Sequence, residues 1–338
     1  MRHHLLSSTD LRASAARIAT VAFIAASIAP ASAASILRVP ALSAPRAVTQ
    51  AAQRLSPGTI TFTFITLDDQ ADPTFNQLLG INDHGKIAGY FGSGMPGHPN
   101  KGYVLLPPYG QNNYVNENFP GSAQTQVTAI NNRQDTAGFW VNAKNQNFGF
   151  IRWHGVYTSY RDPHTGKGTV NQLLGLNNAG IAVGFYTDAN NVNHAYELDQ
   201  STGHFTAIVP PGGTNATASG LNQAGDVTGF FTNGSGAVVG WLLKGNTFID
   251  FSFPGATSTM PFGINNKDQI VGEYMDSAGT HGFLLSNPLG PRVRWQSIDD
   301  PNGIGTTVVN GINDKTQLVG FYVDASGNTN GMLANPSI

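Results

Sequence analysis

The sequence predicts an all-β fold, a six-bladed β-propeller of four-stranded blades, and three observations predict it. A Gly/Ala-Ile/Leu-Asn triplet recurs six times, ending at Asn82, Asn131, Asn177, Asn222, Asn265 and Asn313, with spacings of 49, 46, 45, 43 and 48 residues. Short segments rich in glycine and aromatics follow each triplet, so a unit of about 45 residues holds four strands, which is propeller-blade arithmetic. Composition agrees: 11% of the 338 residues are charged and 40 are glycine, against roughly 25% charged in soluble domains.

Each unit reads the same way. The triplet ends the first strand at a tight turn such as Asn82-Asp83-His84-Gly85, where an Asn side chain bonds amides two residues on and Gly takes positive φ. The second strand carries Gly and aromatics, as in Gly89-Tyr90-Phe91, Gly138-Phe139-Trp140 and Gly184-Phe185-Tyr186. Gly inside a strand marks close backbone approach, and the aromatics are expected to fill the space between blades. The third strand is apolar, as in Gly240-Trp241-Leu242-Leu243, and the fourth precedes a proline, as in Phe248-Ile249-Asp250-Phe251 before Pro254. Helical repeats of this length would show a 3.6-residue period and few glycines; these segments alternate.

The last unit stops after its third strand, Gly331-Met332-Leu333-Ala334, while the first is preceded by a spare fourth-type strand, Phe62-Thr63-Phe64-Ile65-Thr66-Leu67. Pairing of the two is expected to close the ring and remove an exposed edge.

Ahead of the repeats, Arg2, Arg12 and Arg17 precede the apolar run from Ile18 to Ala29 and the small-residue site Ala31-Ser32-Ala33. That order reads as a secretory signal peptide over 1–33 cleaved near Ala33; the apolar run is short of the roughly 20 residues a membrane span needs. Cleavage removes three Arg and one Asp, taking the formal charge from −2 to −4. Residues 34–57 read as a disordered lead-in and 58–338 as the propeller. The expected location is periplasmic or extracellular, as a monomer with no membrane span after cleavage. No basic field exists to hold nucleic acid, and the absence of cysteine excludes disulfides and thiolate chemistry.

The repeat resembles the HAF-repeat family of bacterial extracellular proteins, named for a His-Ala-Phe tripeptide in the third strand. Here the tripeptide stands as His194-Ala195-Tyr196 and His281-Gly282-Phe283, with departures such as Asn330-Gly331-Met332. The resemblance covers residues 60–335 and implies the fold and an extracellular location; it implies no catalytic residues.

If the triplet strand is innermost, the triplet turns lie on one face, and the second-to-third loops and blade connections on the other. The second face has the longer, more varied loops and is the expected binding face. The candidate residues are Asp162, His164, Lys167, Asp188, His194, Glu273, Asp276, His281, Asp300 and Asp324. His194, His281 and Asp300 are polar residues of that face, and three departures from the repeat single out the others. The connection Arg161-Asp162-Pro163-His164-Thr165-Gly166-Lys167-Gly168 is the longest and most charged; its Asp, His and Lys suit acid/base work or an anionic ligand, and equally a solvated loop. Glu273 replaces the aromatic of Tyr90, Phe139, Phe185, Phe230 and Phe321 and would need a partner or a raised pKa. Asp188, Asp276 and Asp324 recur in hairpins whose oxygens admit calcium or only hold turns; no cofactor is expected. Gly-x-Ser-x-Gly, His-Glu-x-x-His and phosphate-loop motifs are absent from the sequence. The reading is a secreted binding or scaffold module for a glycan, peptide or surface partner. The alternative is a secreted hydrolase or lyase with its site at the channel mouth, favoured if Asp162, His164, Lys167 and Glu273 cluster with a neighbouring histidine.

Overall fold

Each repeat folds into four antiparallel strands, and six such blades follow one another along the chain of the computed structural model, which describes residues 59–337. The fourth and fifth are joined into one sheet by a single parallel pair, Val238↔Ser258. The expected signal peptide and lead-in lie outside the described residues. Blade 1 comprises β2 (Asn76–Ile81), β3 (Ile87–Phe91), β4 (Lys101–Leu105) and β5 (Tyr114–Asn116). Blade 2 comprises β6 (Gln124–Ile130), β7 (Thr136–Val141), β8 (Asn147–Trp153) and β9 (Val156–Tyr160). Blade 3 comprises β10 (Asn171–Leu176), β11 (Ile181–Thr187), β12 (Asn193–Asp199) and β13 (His204–Ile208). Blade 4 comprises β14 (Thr214–Leu221), β15 (Val227–Thr232), β16 (Val238–Lys244) and β17 (Thr247–Phe251). Blade 5 comprises β18 (Ser258–Ile264), β19 (Ile270–Met275), β20 (Thr280–Ser286) and β21 (Arg294–Ile298).

Blade 6 is built from both ends of the repeat region: β22 (Thr307–Ile312), β23 (Leu318–Val323), β24 (Thr329–Pro336) and, as its outer strand, β1 (Phe62–Thr66). β1 runs antiparallel to β24 in the register Phe62↔Pro336 to Thr66↔Met332. The closure expected from the spare N-terminal strand is therefore present, and it leaves blade 6 with its full four strands.

The second-strand glycines answer to a bulge. In every blade the register slips one residue within the first strand, between Leu78 and Gly80 in blade 1 and between Leu173 and Gly175 in blade 3. The bulge pushes a first-strand carbonyl toward the second strand. A Cβ on Gly184 would lie 1.9 Å from the Gln172 oxygen, and one on Gly320 would lie 1.9 Å from the Val308 oxygen. Only glycine fits there.

The apolar core lies between blades. Ala88 and Val104 of blade 1 pack with Val127, Ile130 and Phe150 of blade 2. At the seam, Leu78, Ile87 and Tyr103 of blade 1 pack with Leu67, Val319 and Leu333 of blade 6. The first of the paired second-strand aromatics is buried as expected, with Tyr90 0%, Phe139 3% and Phe321 4% exposed.

Candidate functional site

Two regions could hold a ligand, the axial channel and the face of the blade connections. The triplet asparagines ring the channel and do two jobs at once. Each holds its own turn; Asn131 Oδ1 accepts from the amides of Arg133 and Asp135, both at 2.9 Å. In addition, Asn82, Asn131, Asn222, Asn265 and Asn313 each donate Nδ2 to the triplet-Asn carbonyl of the next blade. The expected turn role is thus joined by an inter-blade one.

The residue after each triplet closes a second ring. The amide of Asp83 donates to Asn132, Asn132 to Asn178, Asn178 to Gln223, Gln223 to Asn266, Asn266 to Asp314 and Asp314 back to Asp83, all onto side-chain oxygens at 2.8–2.9 Å. The signal was in the sequence, since this position is Asp, Asn or Gln in every repeat. A depression lined by the triplet asparagines and the residues after them sits at this mouth, and a second is lined by the residues just before each triplet asparagine. They share only Ile81, Ile130, Leu176, Leu221, Ile264 and Ile312, an apolar collar whose members are all 6–9% exposed. The ring oxygens of the mouth already accept from backbone, so its chemistry serves assembly.

On the opposite face the candidate residues gather blade by blade. In blade 3, His194 Nε2 lies 3.0 Å from Asp188 Oδ2, and the imidazole stacks on Tyr186 with centroids 5.0 Å apart. His164 Nδ1 lies 2.9 Å from Asp162 Oδ1, and the His164 ring centre is 6.1 Å from that of Tyr186. In blade 5, His281 Nδ1 lies 2.8 Å from Asp299 Oδ1, and its Nε2 faces Asp276 Oδ1 at 3.4 Å. It too stacks on a tyrosine, Tyr274, at 5.1 Å. In blade 1, His98 Nδ1 lies 2.7 Å from Asp72 Oδ2. Asp72 is missing from the sequence candidates; its only signal was a place in another Asp-containing blade connection.

Hydrogen bonding shapes these carboxylates. Backbone amides of Val192 and Asn190, with His194, hold Asp188 below the usual carboxylate range, because each favours the charged form. For Asp72 burial pushes the other way, but the Thr74 hydroxyl and His98 outweigh it and the net shift is downward. Burial raises Asp68 to about 6, opposed by the Gly331 amide and reinforced by Asp324.

The hairpin aspartates are turn holders: Asp188, Asp276 and Asp324 each accept two amides of their own hairpin. Among the described residues no three His, Asp or Glu side chains are grouped to hold a metal ion. Lys167 is exposed. Asp300 is not at the surface: it is 3% exposed, its Oδ1 accepts the Asn302 amide, and its Oδ2 has no hydrogen-bond partner among the described residues. Glu273 is not on the binding face either. It lies in the middle of β19, 2% exposed, and burial alone raises its pKa to about 7. Asp162 and His164 belong to the connection into blade 3 and Glu273 to the interior of blade 5, so the constellation that would favour catalysis does not assemble.

No family model and no curated protein matches the chain. Among solved structures, a protein assigned as TolB from Agrobacterium tumefaciens is similar at 11% identity and a TM-score of 0.55, over 83% of this chain and 100% of that one. At that identity the likeness concerns the fold. The fucose-specific lectin from Aleuria aurantia is similar at 9% identity and a TM-score of 0.49, over 76% of this chain and 91% of that one, too distant to support an argument about ligands. Among the described residues no helix is long and apolar enough to cross a membrane.

Proposed function

We propose that the protein is an exported binding module that recognises a glycan, peptide or surface partner through the face of its blade connections. One observation carries this reading: the polar groups of that face are dispersed around the ring as separate histidine–aspartate contacts in blades 1, 3 and 5. Catalysis needs an acid, a base or a nucleophile converging on one reacting atom, whereas recognition is served by several similar spots on a rigid frame. The hydrolase or lyase reading required convergence of Asp162, His164, Lys167 and Glu273 and loses its support with their separation. Export rests on the N-terminal order of basic, apolar and Ala-x-Ala segments. Membership of the HAF-repeat group rests on the His-Ala-Tyr and His-Gly-Phe tripeptides, which lie in the third strands β12 and β20.

The test is thermal unfolding of residues 34–338 against panels of glycans and peptides, with calcium and a chelator alongside. A ligand that binds only the folded state raises the midpoint by mass action, by about 2.7 kcal/mol of stability at a hundredfold excess over Kd. A dose-dependent rise, lost on substitution in the connection face, is the expected result. A rise unaffected by those substitutions would move the site elsewhere, and indifference to every glycan and peptide would refute the reading.

A further inference from the structure

Blades 3 and 5 carry the same tyrosine–histidine–aspartate set in the same register, Tyr186↔His194 and Tyr274↔His281 across the second and third strands. They differ in what surrounds it. In blade 5 the fourth strand satisfies the set: Tyr274 Oη lies 3.0 Å from Ser297 Oγ, and His281 Nδ1 is held by Asp299. The Ser297 position is a hydroxyl in blades 6 and 2 as well, where Thr66 bonds Tyr322 Oη and Ser159 accepts from Trp140 Nε1.

Blade 3 breaks this pattern at both places. Pairing of Tyr196 with Ala207, against Phe283 with Ser297, puts Ala207 at the hydroxyl position. Two residues on, Val209 stands where Asp299 does, and it is 71% exposed. Among the described residues Tyr186 Oη and His194 Nδ1 are therefore left without a hydrogen-bond partner. A third difference lies before the connecting proline. In blade 5 Phe253 stacks on Tyr274 with centroids 3.7 Å apart, and in blade 2 Phe119 covers Trp140 at 4.3 Å. In blade 3 the residue before Pro163 is Asp162. Blade 6 also has an aspartate there, Asp300 before Pro301, and still buries Tyr322 at 5% exposure, so the missing ring separates half-buried Tyr186 only from Tyr274 of blade 5, at 7%.

We propose that this end of blade 3 is a binding site for a neutral sugar, whose hydroxyls take the places that Ser297 and Asp299 fill in blade 5. The proposal rests on the binding-module reading and names its site and ligand class. Tyr186 Oη donates or accepts according to the hydroxyl presented, while a neutral His194, its Nε2–H given to the Asp188 carboxylate, presents Nδ1 as an acceptor. Val209 offers an apolar contact beside them. Asp188 and Asp162 are committed to His194 and His164, and two carboxylates so close to Tyr186 disfavour an anion. A ligand with several uncharged hydroxyls and an apolar ring face fits these groups.

The experiment uses protein with carbon-labelled tyrosine and follows ring signals by NMR. The probes are methyl glycosides of gluco, galacto, manno and fuco configuration, glucuronate as the anionic comparator, and acetylated serine and threonine dipeptide amides. The expected result is a saturable shift of the Tyr186 signal, assigned with Y186F, by at least one neutral glycoside. Y186F weakens that glycoside by about tenfold, the loss of one directed hydrogen bond. The graft A207S/V209D, which gives blade 3 the fourth-strand groups of blade 5 at two exposed positions, abolishes binding with the unfolding midpoint unchanged. Glycoside binding that survives both variants would overturn the blade 3 assignment while leaving the binding-module reading intact. A Tyr186 response to the peptides or glucuronate alone would overturn the ligand class. If no probe shifts Tyr186 but ligands from the wider panels still raise the unfolding midpoint, the site proposal fails by itself; if those fail too, both readings fall.

Discussion

Asn313 donates its side-chain amide to the carbonyl oxygen of Asn82 at 3.0 Å, a contact between blade 6 and blade 1 across 231 positions of sequence. It is the seam bond of the asparagine ring, and the same side chain holds its own turn through the amides of Lys315 and Gln317. Loss of one asparagine thus unsatisfies a turn and an interface together.

The ring is uneven, and the unevenness is measurable. Asn177 holds the amides of Ala179 and Ile181, but no donation from its Nδ2 to the next blade accompanies them. N313A is expected to cost about 2–4 kcal/mol and N177A about 2 kcal/mol less, the worth of the two net hydrogen bonds that Asn313 Nδ2 makes to Asn82 and to Gln317 Oε1. Urea unfolding of the two variants compares them; equal losses would show that the cross-blade bonds add nothing to the turn.

G184A tests the bulge. With the new methyl carbon 1.9 Å from the Gln172 oxygen, backbone must move, and a loss above about 3 kcal/mol is expected from overpacking against a rigid sheet. A loss under 1 kcal/mol in chemical denaturation would mean that the bulge relaxes freely.

The turn after the triplet places its fourth residue at positive φ in all six repeats, with Gly85 at 76°, Gly180 at 85° and Gly225 at 87°, but Gln134 at 71°, Asp268 at 54° and Thr316 at 61°. Non-glycine residues pay about 1 kcal/mol or more there. Q134G is expected to stabilise by up to about 1 kcal/mol, read as a higher unfolding midpoint. Each side chain also makes one bond across a blade interface, and T316G should gain less because the bond of Thr316 Oγ1 to Gln269, at 2.9 Å, is made by a buried residue while that of Gln134 to Lys86 is exposed.

Glu273 gives the protein a pH dependence of known sign. Its folded pKa is about 7 against an ordinary 4.5, through burial. From pH 4.5 to 7 the unfolded chain releases the proton while the folded one keeps it, so this group's contribution to stability falls as pH rises and levels off above 7. E273Q lacks the titration. Its stability relative to the parent should rise across that window by about 3 kcal/mol. Asp68, raised to about 6, acts with the same sign but cancels in the comparison. A pH-independent difference between the two proteins would show that Glu273 ionises normally.

Much of the fold was legible because its causes are local or repeated. The six triplets, the second-strand glycines and the spare strand Phe62–Thr66 each encode a turn, a close approach or an unpaired edge, which show up in sequence as spacing. The polar ring from Asp83 to Asp314 is also written in the sequence but carries no plain repeat, because six neighbours of three residue types share only an acceptor oxygen. Glu273 was legible as an anomaly, yet its side of the strand decides whether it meets a ligand or the interior. The sequence by itself thus determined the blade count, the strand order and the closure. Only the tertiary structure decided which polar groups of the connection face are left open. Whether Tyr186 Oη and His194 Nδ1 are open depends on Ala207 and Val209 standing where Ser297 and Asp299 fill the same places in blade 5. Those relationships exist only once strand register places residues distant in sequence within hydrogen-bonding reach, so a substitution reads as an opening only beside the blade in which the same place is filled.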